Sequence, residues 1–419
     1  MDVKLRLIIM NFLQFFVWGS WLITFANYWF GTMGWGPDDF GWVFLTLGIA
    51  SLFMPTITGI IADKWVNAEV VYAVSHVIAG VAVASFPFIT DPDTFFWVML
   101  IAMSFYMPTI ALTNTIAYNA LNLAKLDVVK SFPPIRVWGT IGFIAAMWFT
   151  NLTGNKASVN QFYISAVASV ILGIYSFTLP KCPPQQKSKE KQSFAKLFGL
   201  EAFKLFANYK MAIFFIFSML LGASLQLTNM YGDRFLDSFK EIAKYSDSFV
   251  VKYSTIIMSI SQISETLFIL SIPFFLKRFG IKKVMILSMF AWVLRFALFA
   301  IGEPEGFGLV FIIISMIVYG MAFDFFNISG SLFIETETDP KMRGSAQGLF
   351  MMMTNGFGTM IGALTSGIII KAFFVGAKGI WDWNGIWLAF AAYALVVAIL
   401  FMLLFKHKHR PEDVKNVNH

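Results

Sequence analysis

Charge is what this chain lacks most. Asp, Glu, Lys and Arg together make up 13% of its 419 residues, against about 25% in an ordinary soluble protein. A water-facing surface of normal extent is therefore excluded. Cysteine occurs once, as Cys182, which rules out an intrachain disulfide and a cysteine-built metal site. It stands in a Pro/Lys-rich stretch and reads as incidental. Of four histidines, His407, His409 and His419 fall at the C-terminal end. His76 stands alone in an apolar segment and reads as structural, so neither a metal centre nor a nucleophile–base pair is expected. No small-residue cleavage site follows the first apolar segment, from near Leu7 to about Phe30, so an uncleaved first span is expected. What the chain does contain is hydrophobic: 58% of it, with 48 phenylalanines. This is the composition of a polytopic protein of the lipid bilayer.

A helical span needs ~20 predominantly apolar residues. Twelve candidates occur, near 7–30, 40–61, 69–89, 95–118, 135–153 and 160–180, then 208–231, 250–276, 283–301, 307–333, 345–371 and 385–405. They divide six and six. Residues 1–180 form a predicted N-terminal bundle, and 181–209 a cytoplasmic linker with one amphipathic helix expected around Phe194–Phe206. Residues 210–405 form a C-terminal bundle, and 406–419 a cytoplasmic tail. With both termini inside, 22 of the 31 basic residues fall on cytoplasmic segments or, for Lys210, at the edge of one. The loops near 31–39, 90–94 and 302–306 hold none, yet carry Asp38, Asp39, Asp91, Asp93, Glu303 and Glu305. The positive-inside rule thus places both ends in the cytoplasm. It also accounts for the net charge of +7 without invoking nucleic acid.

Two acids stand inside spans: Glu265 in the eighth and Asp324 in the tenth. A carboxylate there costs roughly 2.5–3.5 kcal/mol on insertion scales, so a functional role is the default reading. Other polar residues share helical faces with them or with each other. Gln226 and Asn229 are three apart, Gln262 and Glu265 repeat that spacing, and Tyr319, Phe323 and Asn327 form an i, i+4, i+8 stripe beside Asp324. The fifth span is read as opening at Pro133-Pro134-Ile135-Arg136, with Thr140 and Phe143 on the side of Arg136. The first span carries Gln14, Trp18 and Trp21. An amide within a span often only joins helices by hydrogen bonds, Tyr and Phe stripes often only pack, and Arg136 is near enough to a span end to snorkel. Arg295, in the ninth span, reads as a structural or gating ion-pair residue. A shared cavity explains the polar residues of the second half more economically than three separate joints. Amides, a carboxylate and aromatic faces suit a neutral ligand with one flat ring and several hydroxyls, not an anion.

Gly59-Ile60-Ile61-Ala62-Asp63-Lys64 closes the second span, and Lys277-Arg278-Phe279-Gly280-Ile281-Lys282-Lys283 follows the eighth, six spans on. The pair resembles the short charged loop of the major facilitator superfamily, with the trailing glycine and basic pair missing from the first copy and the Asp from the second. The resemblance implies an all-α fold of two six-helix bundles around a central cavity, with Asp63, Lys64, Arg278 and Lys282 as gating-loop residues.

Four longer strings resemble the bacterial nucleoside:proton symporters of that superfamily, the family that contains the nucleoside and xanthosine permeases. They are Pro133-Pro134-Ile135-Arg136-Val137-Trp138-Gly139-Thr140-Ile141-Gly142-Phe143, the segment from Met211 to Gly222 running into Gln226 and Asn229, Ile260-Ser261-Gln262-Ile263-Ser264-Glu265-Thr266, and Ala322-Phe323-Asp324-Phe325-Phe326-Asn327-Ile328-Ser329-Gly330. The similarity runs from Phe12 to about Lys408. It implies substrate contacts at Arg136, Thr140, Phe143, Gln226, Asn229, Gln262, Glu265, Tyr319 and Phe323, with Asp324 and Asn327 beside them.

The function expected is proton-coupled nucleoside import across the bacterial inner membrane by alternating access, by a monomer without cofactor or metal. Asp324 is favoured as proton carrier and Glu265 as substrate ligand with a share in coupling, although either acid could titrate. A proton-coupled sugar or oligosaccharide symporter of the same fold is the alternative. The stacking aromatics and paired amides favour a nucleobase over it.

Overall fold

The computed structural model describes residues 2–184, 200–340, 342–376 and 379–408. Among them nearly everything is helical; the only β feature is a bridge between Val375 and Trp381. The chain divides into two compact units, Met1–Gln192 and Ser193–His419.

The first unit contains α1 (Val3–Gly19), α2 (Pro37–Lys64), α3 (Ala68–Ser85), α4 (Pro92–Leu123), α5 (Val128–Leu152) and α6 (Asn160–Ser176). A π-helix at Asn27–Thr32 follows α1. The buried face of α1 runs Leu7, Met10, Asn11, Gln14, Val17, the helical period of a stripe turned toward its neighbours. α4 starts cleanly because Asp91 accepts a hydrogen bond from the Thr94 amide at 2.8 Å. Hydrogen bonds from the Thr94 amide and side chain hold the Asp91 carboxyl below its ordinary range.

The second unit contains α7 (Tyr209–Ser238), α8 (Ser254–Ala300), α9 (Gly306–Glu337), α10 (Arg343–Phe373, with a π-helical turn at Met352–Gly358) and α11 (Trp383–Leu404). α8 is 47 residues long but broken at Gly280, whose φ of 78° and ψ of 167° suit glycine alone. Arg295 beyond the break bonds Ser261 before it, so the two arms run back past each other. Among the described residues, eight helices (α2, α3, α4 and α7 to α11) are long and apolar enough to cross a bilayer by length and composition.

The units repeat one packing scheme. In the first, α1 packs on α5, α2 on α4, and α3 on both α4 and α6. In the second, α7 packs on α10, and both arms of α8 lie against α9 while α8 also meets α11. Phe296 and Phe299 of the second arm reach Trp387 of α11, and Phe268 and Phe275 of the first arm reach Phe325 of α9. The α1–α5 and α7–α10 contacts are backbone-close for the same reason. A Cβ on Gly142 would strike the carbonyl of Phe12, and one on Gly222 would strike that of Thr354.

Several expectations need correction. The fifth helix does not open at Pro133. It begins at Val128, where Asp127 accepts from the Lys130 amide, and carries Pro133 and Pro134 inside it. Both prolines lie at its exposed end, where water can solvate the carbonyls they leave without a donor. Beyond the expected end of the seventh span at 231, α7 continues to Ser238 before a short 3-10 turn at Phe239–Glu241. Of the amphipathic helix expected around Phe194–Phe206, residues 194–199 lie outside the described residues, and the remainder falls on a 3-10 helix at Leu200–Ala207. The linker residues 185–199, Lys341 and the tail beyond Lys408 lie outside the described residues. Cys182 is buried, and its backbone amide donates to Glu69 at 2.8 Å.

Candidate transport site

In the second unit, α9 meets the first arm of α8 at Gly320. A Cβ there would lie 2.5 to 2.7 Å from the Ser264 carbonyl group and the Glu265 amide nitrogen. Ser264 donates its hydroxyl to the Ile317 carbonyl one turn away. This backbone contact sets the spacing of the side chains on either side of it. Tyr319 lies within electrostatic reach of both Glu265 and Asp324, and the two carboxyls lie within reach of each other. Asp324 is buried, and its Oδ2 has no hydrogen-bond partner among the described residues. Glu265 is half-buried. Two acids read separately from the sequence are thus one pair, brought together because residue 320 has no side chain.

The amides are placed less tightly. Gln226 is buried with its Nε2 unpartnered, and Gln262 is half-buried with its Oε1 unpartnered among the described residues. Each retains hydrogen-bonding capacity for a ligand. Asn229, Phe323 and Asn327 are half-buried. Of the gating residues, Asp63, Lys64 and Arg278 are exposed at helix ends, and Lys282 donates to the Met402 carbonyl at 3.1 Å rather than to an acid.

Arg295 departs from expectation. Among the described residues no ion pair holds it. Its guanidinium is wholly buried and donates to the Ser315 carbonyl (2.8 Å), Ser261 Oγ (3.3 Å) and Thr228 Oγ1 (3.4 Å), all neutral. It lies over the rings of Tyr319 at 4.6 Å and Phe299 at 5.0 Å. Carbonyl and hydroxyl oxygens and ring faces replace the missing anion.

In the first unit, Arg136 lies 4.2 Å over the ring of Phe15 on α1 and within electrostatic reach of Tyr106 on α4. Thr140 and Phe143 follow it on α5, each half-buried. Behind Tyr106 is a polar hub that sequence reasoning missed. Gln14 donates to Thr109 at 2.8 Å and accepts from Tyr72 at 2.6 Å, while His76 Nε2 lies 2.8 Å from the same carbonyl oxygen. Tyr106 donates to the Gln14 main-chain carbonyl at 2.8 Å, and Ser169 of α6 meets His76 Nδ1 at 3.0 Å. The apparently lone histidine therefore has two partners. The i, i+4 spacing of Tyr72 and His76 opposite Gln14 was the available signal.

The family model described as nucleoside H+ symporter matches residues 1–410. The chain is 52% identical to the nucleoside permease NupG of Escherichia coli (strain K12), covering all of both chains. It is 50% identical to the xanthosine permease of the same organism over 99% of each. The crystal structure of a mutant of the nucleoside transporter NupG superposes with a TM-score of 0.94 at 52% identity, over 97% of this chain and all of that one. A nearly all-helical chain with two carboxyls close together inside its second unit thus matches a symporter family along almost its full length, and it belongs to the nucleoside H+ symporter family.

Proposed function

We propose that this protein imports nucleosides across the bacterial inner membrane by proton symport. The observation that carries the reading is the Glu265–Asp324 pair, set beside Tyr319 by the α8–α9 contact at Gly320. Two carboxyls within electrostatic reach of each other in an apolar bundle repel each other when both are ionised, and one proton on the pair removes that repulsion. Asp324, the more buried member, is the proton carrier. Glu265 is the substrate ligand and shares in coupling. Loading the proton on the outer side and losing it on the inner side ties substrate movement to the gradient. Membrane potential contributes ~2.3 kcal/mol per charge per 100 mV, about fifty-fold accumulation for one proton.

Substrate contacts are proposed at Arg136, Thr140 and Phe143 in the first unit and at Gln226, Asn229, Gln262, Glu265, Tyr319, Phe323 and Asn327 in the second. The unpartnered amide atoms of Gln226 and Gln262 support this. So does their fit to a nucleoside, in which a flat base stacks on aromatic rings and the base edge and ribose hydroxyls take amide and carboxylate partners. The names of the relatives support a nucleoside substrate as well. Counting the two arms of α8 separately with the other ten helices gives twelve proposed crossings. They form two six-helix bundles, 1–180 and 210–405, joined by the linker at 181–209 and followed by the tail at 406–419. Both termini are proposed to be cytoplasmic, the working unit a monomer, and the cycle an alternating-access one in which Asp63, Lys64, Arg278 and Lys282 act at the gating loops.

The test is uptake of labelled uridine and adenosine into proteoliposomes, with and without an inward proton gradient, for the wild type and Asp324→Asn. Gradient-driven accumulation in the wild type, lost in the variant while counterflow exchange survives, is the expected result. Accumulation that persists in Asp324→Asn moves the coupling role to Glu265. A wild type that takes up neither nucleoside under any gradient rejects the reading.

A further inference from the structure

Arg295 is a cost without an evident return in the transport scheme. An ionised guanidinium removed from water is expensive unless paired, and its bonds to Ser315, Ser261 and Thr228 are all to neutral oxygens. A neutral glutamine could make the Ser315 contact at lower desolvation cost. What a glutamine could not do is lie charged over an aromatic ring, and Arg295 lies over Tyr319. The contacts also gather four stretches of helix on one group. Thr228 is on α7, Ser261 on the first arm of α8, Arg295 itself on the second arm, and Ser315 and Tyr319 on α9. A return bond from the Ser315 hydroxyl to the Arg295 carbonyl, at 2.9 Å, fixes the second arm against α9 one turn from Tyr319. Trp292, one turn before Arg295, meets the same Tyr319 ring edge-on at 5.8 Å. Tyr319 in turn is the side chain within reach of both Glu265 and Asp324.

We propose that Arg295 is a positioning residue for substrate binding, acting through Tyr319: it clamps the tyrosine ring and holds α7, α8 and α9 in the register that presents the ring to the nucleoside. It touches no substrate itself. The proposal rests on the transport reading above, and it assigns Arg295 a role distinct from the ion-pair one.

A double-mutant cycle on Arg295→Gln and Tyr319→Leu tests it. In uridine counterflow, which needs no proton gradient, each single variant is expected to raise KM about ten-fold, the scale of a desolvated cation–π contact, with the maximal rate within about two-fold. The double variant is expected to be no worse than Tyr319→Leu alone, since the clamp has nothing left to hold. Arg295→Lys, which keeps the charge but loses the planar fork, is expected to fall between wild type and Arg295→Gln. It supplies the same cycle if the glutamine variant does not fold. Additive losses in KM, or a loss in maximal rate with KM unchanged, overturn the proposal. A wild type inactive in counterflow rejects the transport reading instead. The cycle is then read on thermal unfolding in detergent, where additivity of Arg295→Gln and Tyr319→Leu likewise overturns the coupling.

Discussion

Gln14 shows how much one side chain organises in an apolar bundle. Its amide ties α1 to Tyr72 and His76 on α3 and to Thr109 on α4. Replacing it with leucine preserves volume but leaves buried donors without an acceptor, each worth about 1–3 kcal/mol. Gln14→Leu is therefore expected to unfold at a clearly lower temperature than the wild type in detergent, and an unchanged melting temperature would show the hub to be dispensable. Cys182 offers a second check, outside the spans. Burial, reinforced by the charges of Glu69 and Asp63, pushes its thiol up to about 11. The thiolate is the reactive form, so it is scarce at pH 7 and grows as pH rises toward 11. Maleimide labelling of the folded protein should be slow at pH 7 and accelerate about ten-fold per pH unit up to pH 9. Glu69→Gln removes one of the opposing charges and should speed labelling at pH 7; fast labelling of the wild type at neutral pH would contradict the burial. Neither Gln14's hub nor the setting of Cys182 was legible in the sequence, because each depends on partners far along the chain.

At the scale of the element, the decisive feature is a helix contact rather than a helix. Alternation and run length place α9 well: an expected span of 307–333 becomes Gly306–Glu337. They do not say that Gly320 presses on the backbone at Ser264 and Glu265. Gly320→Ala is expected to force the first arm of α8 away from α9, at about 1–3 kcal/mol of overpacking. It should weaken gradient-driven accumulation more than counterflow, since it separates the carboxyl pair; equal loss of both would argue against coupling through that pair. Gly280 is the complementary case. At φ 78° and ψ 167° it occupies backbone space nearly closed to other residues, so Gly280→Ala should cost about 1–3 kcal/mol and appear as reduced thermal stability. The sequence does place this glycine in the basic loop after the eighth span, but the helix-breaking geometry belongs to the folded chain. Pro133 and Pro134 mark the converse failure. Proline chemistry predicts a helix start there, yet the Asp127 cap six residues before Pro133 begins α5.

For the molecule as a whole, charge placement makes the clearest prediction. With basic residues gathered on alternate loops, an alkaline phosphatase fused after Lys408 should be inactive and a green fluorescent protein fused there should fluoresce. The opposite pattern would reverse the proposed orientation. The two units repeat the same order of helix pairings, which the sequence foreshadowed only through the two half-matching charged loops. Within that scheme the α8–α9 contact at Gly320 brings Glu265 and Asp324 near each other in the second unit, while Arg136 and the Gln14 hub lie in the first.

The sequence by itself determined that the chain belongs in lipid, roughly where its helices run, which acids sit inside them, and which family its strings resemble. These follow from composition and from periods of a few residues, which are local quantities. Only the tertiary structure decided that two acids lie within electrostatic reach of each other, that a lone histidine has partners, and that Arg295 lies over a tyrosine ring instead of beside an anion. Those facts depend on how closely one backbone approaches another, and that distance is set by residues such as Gly320 and Gly142 acting across the bundle.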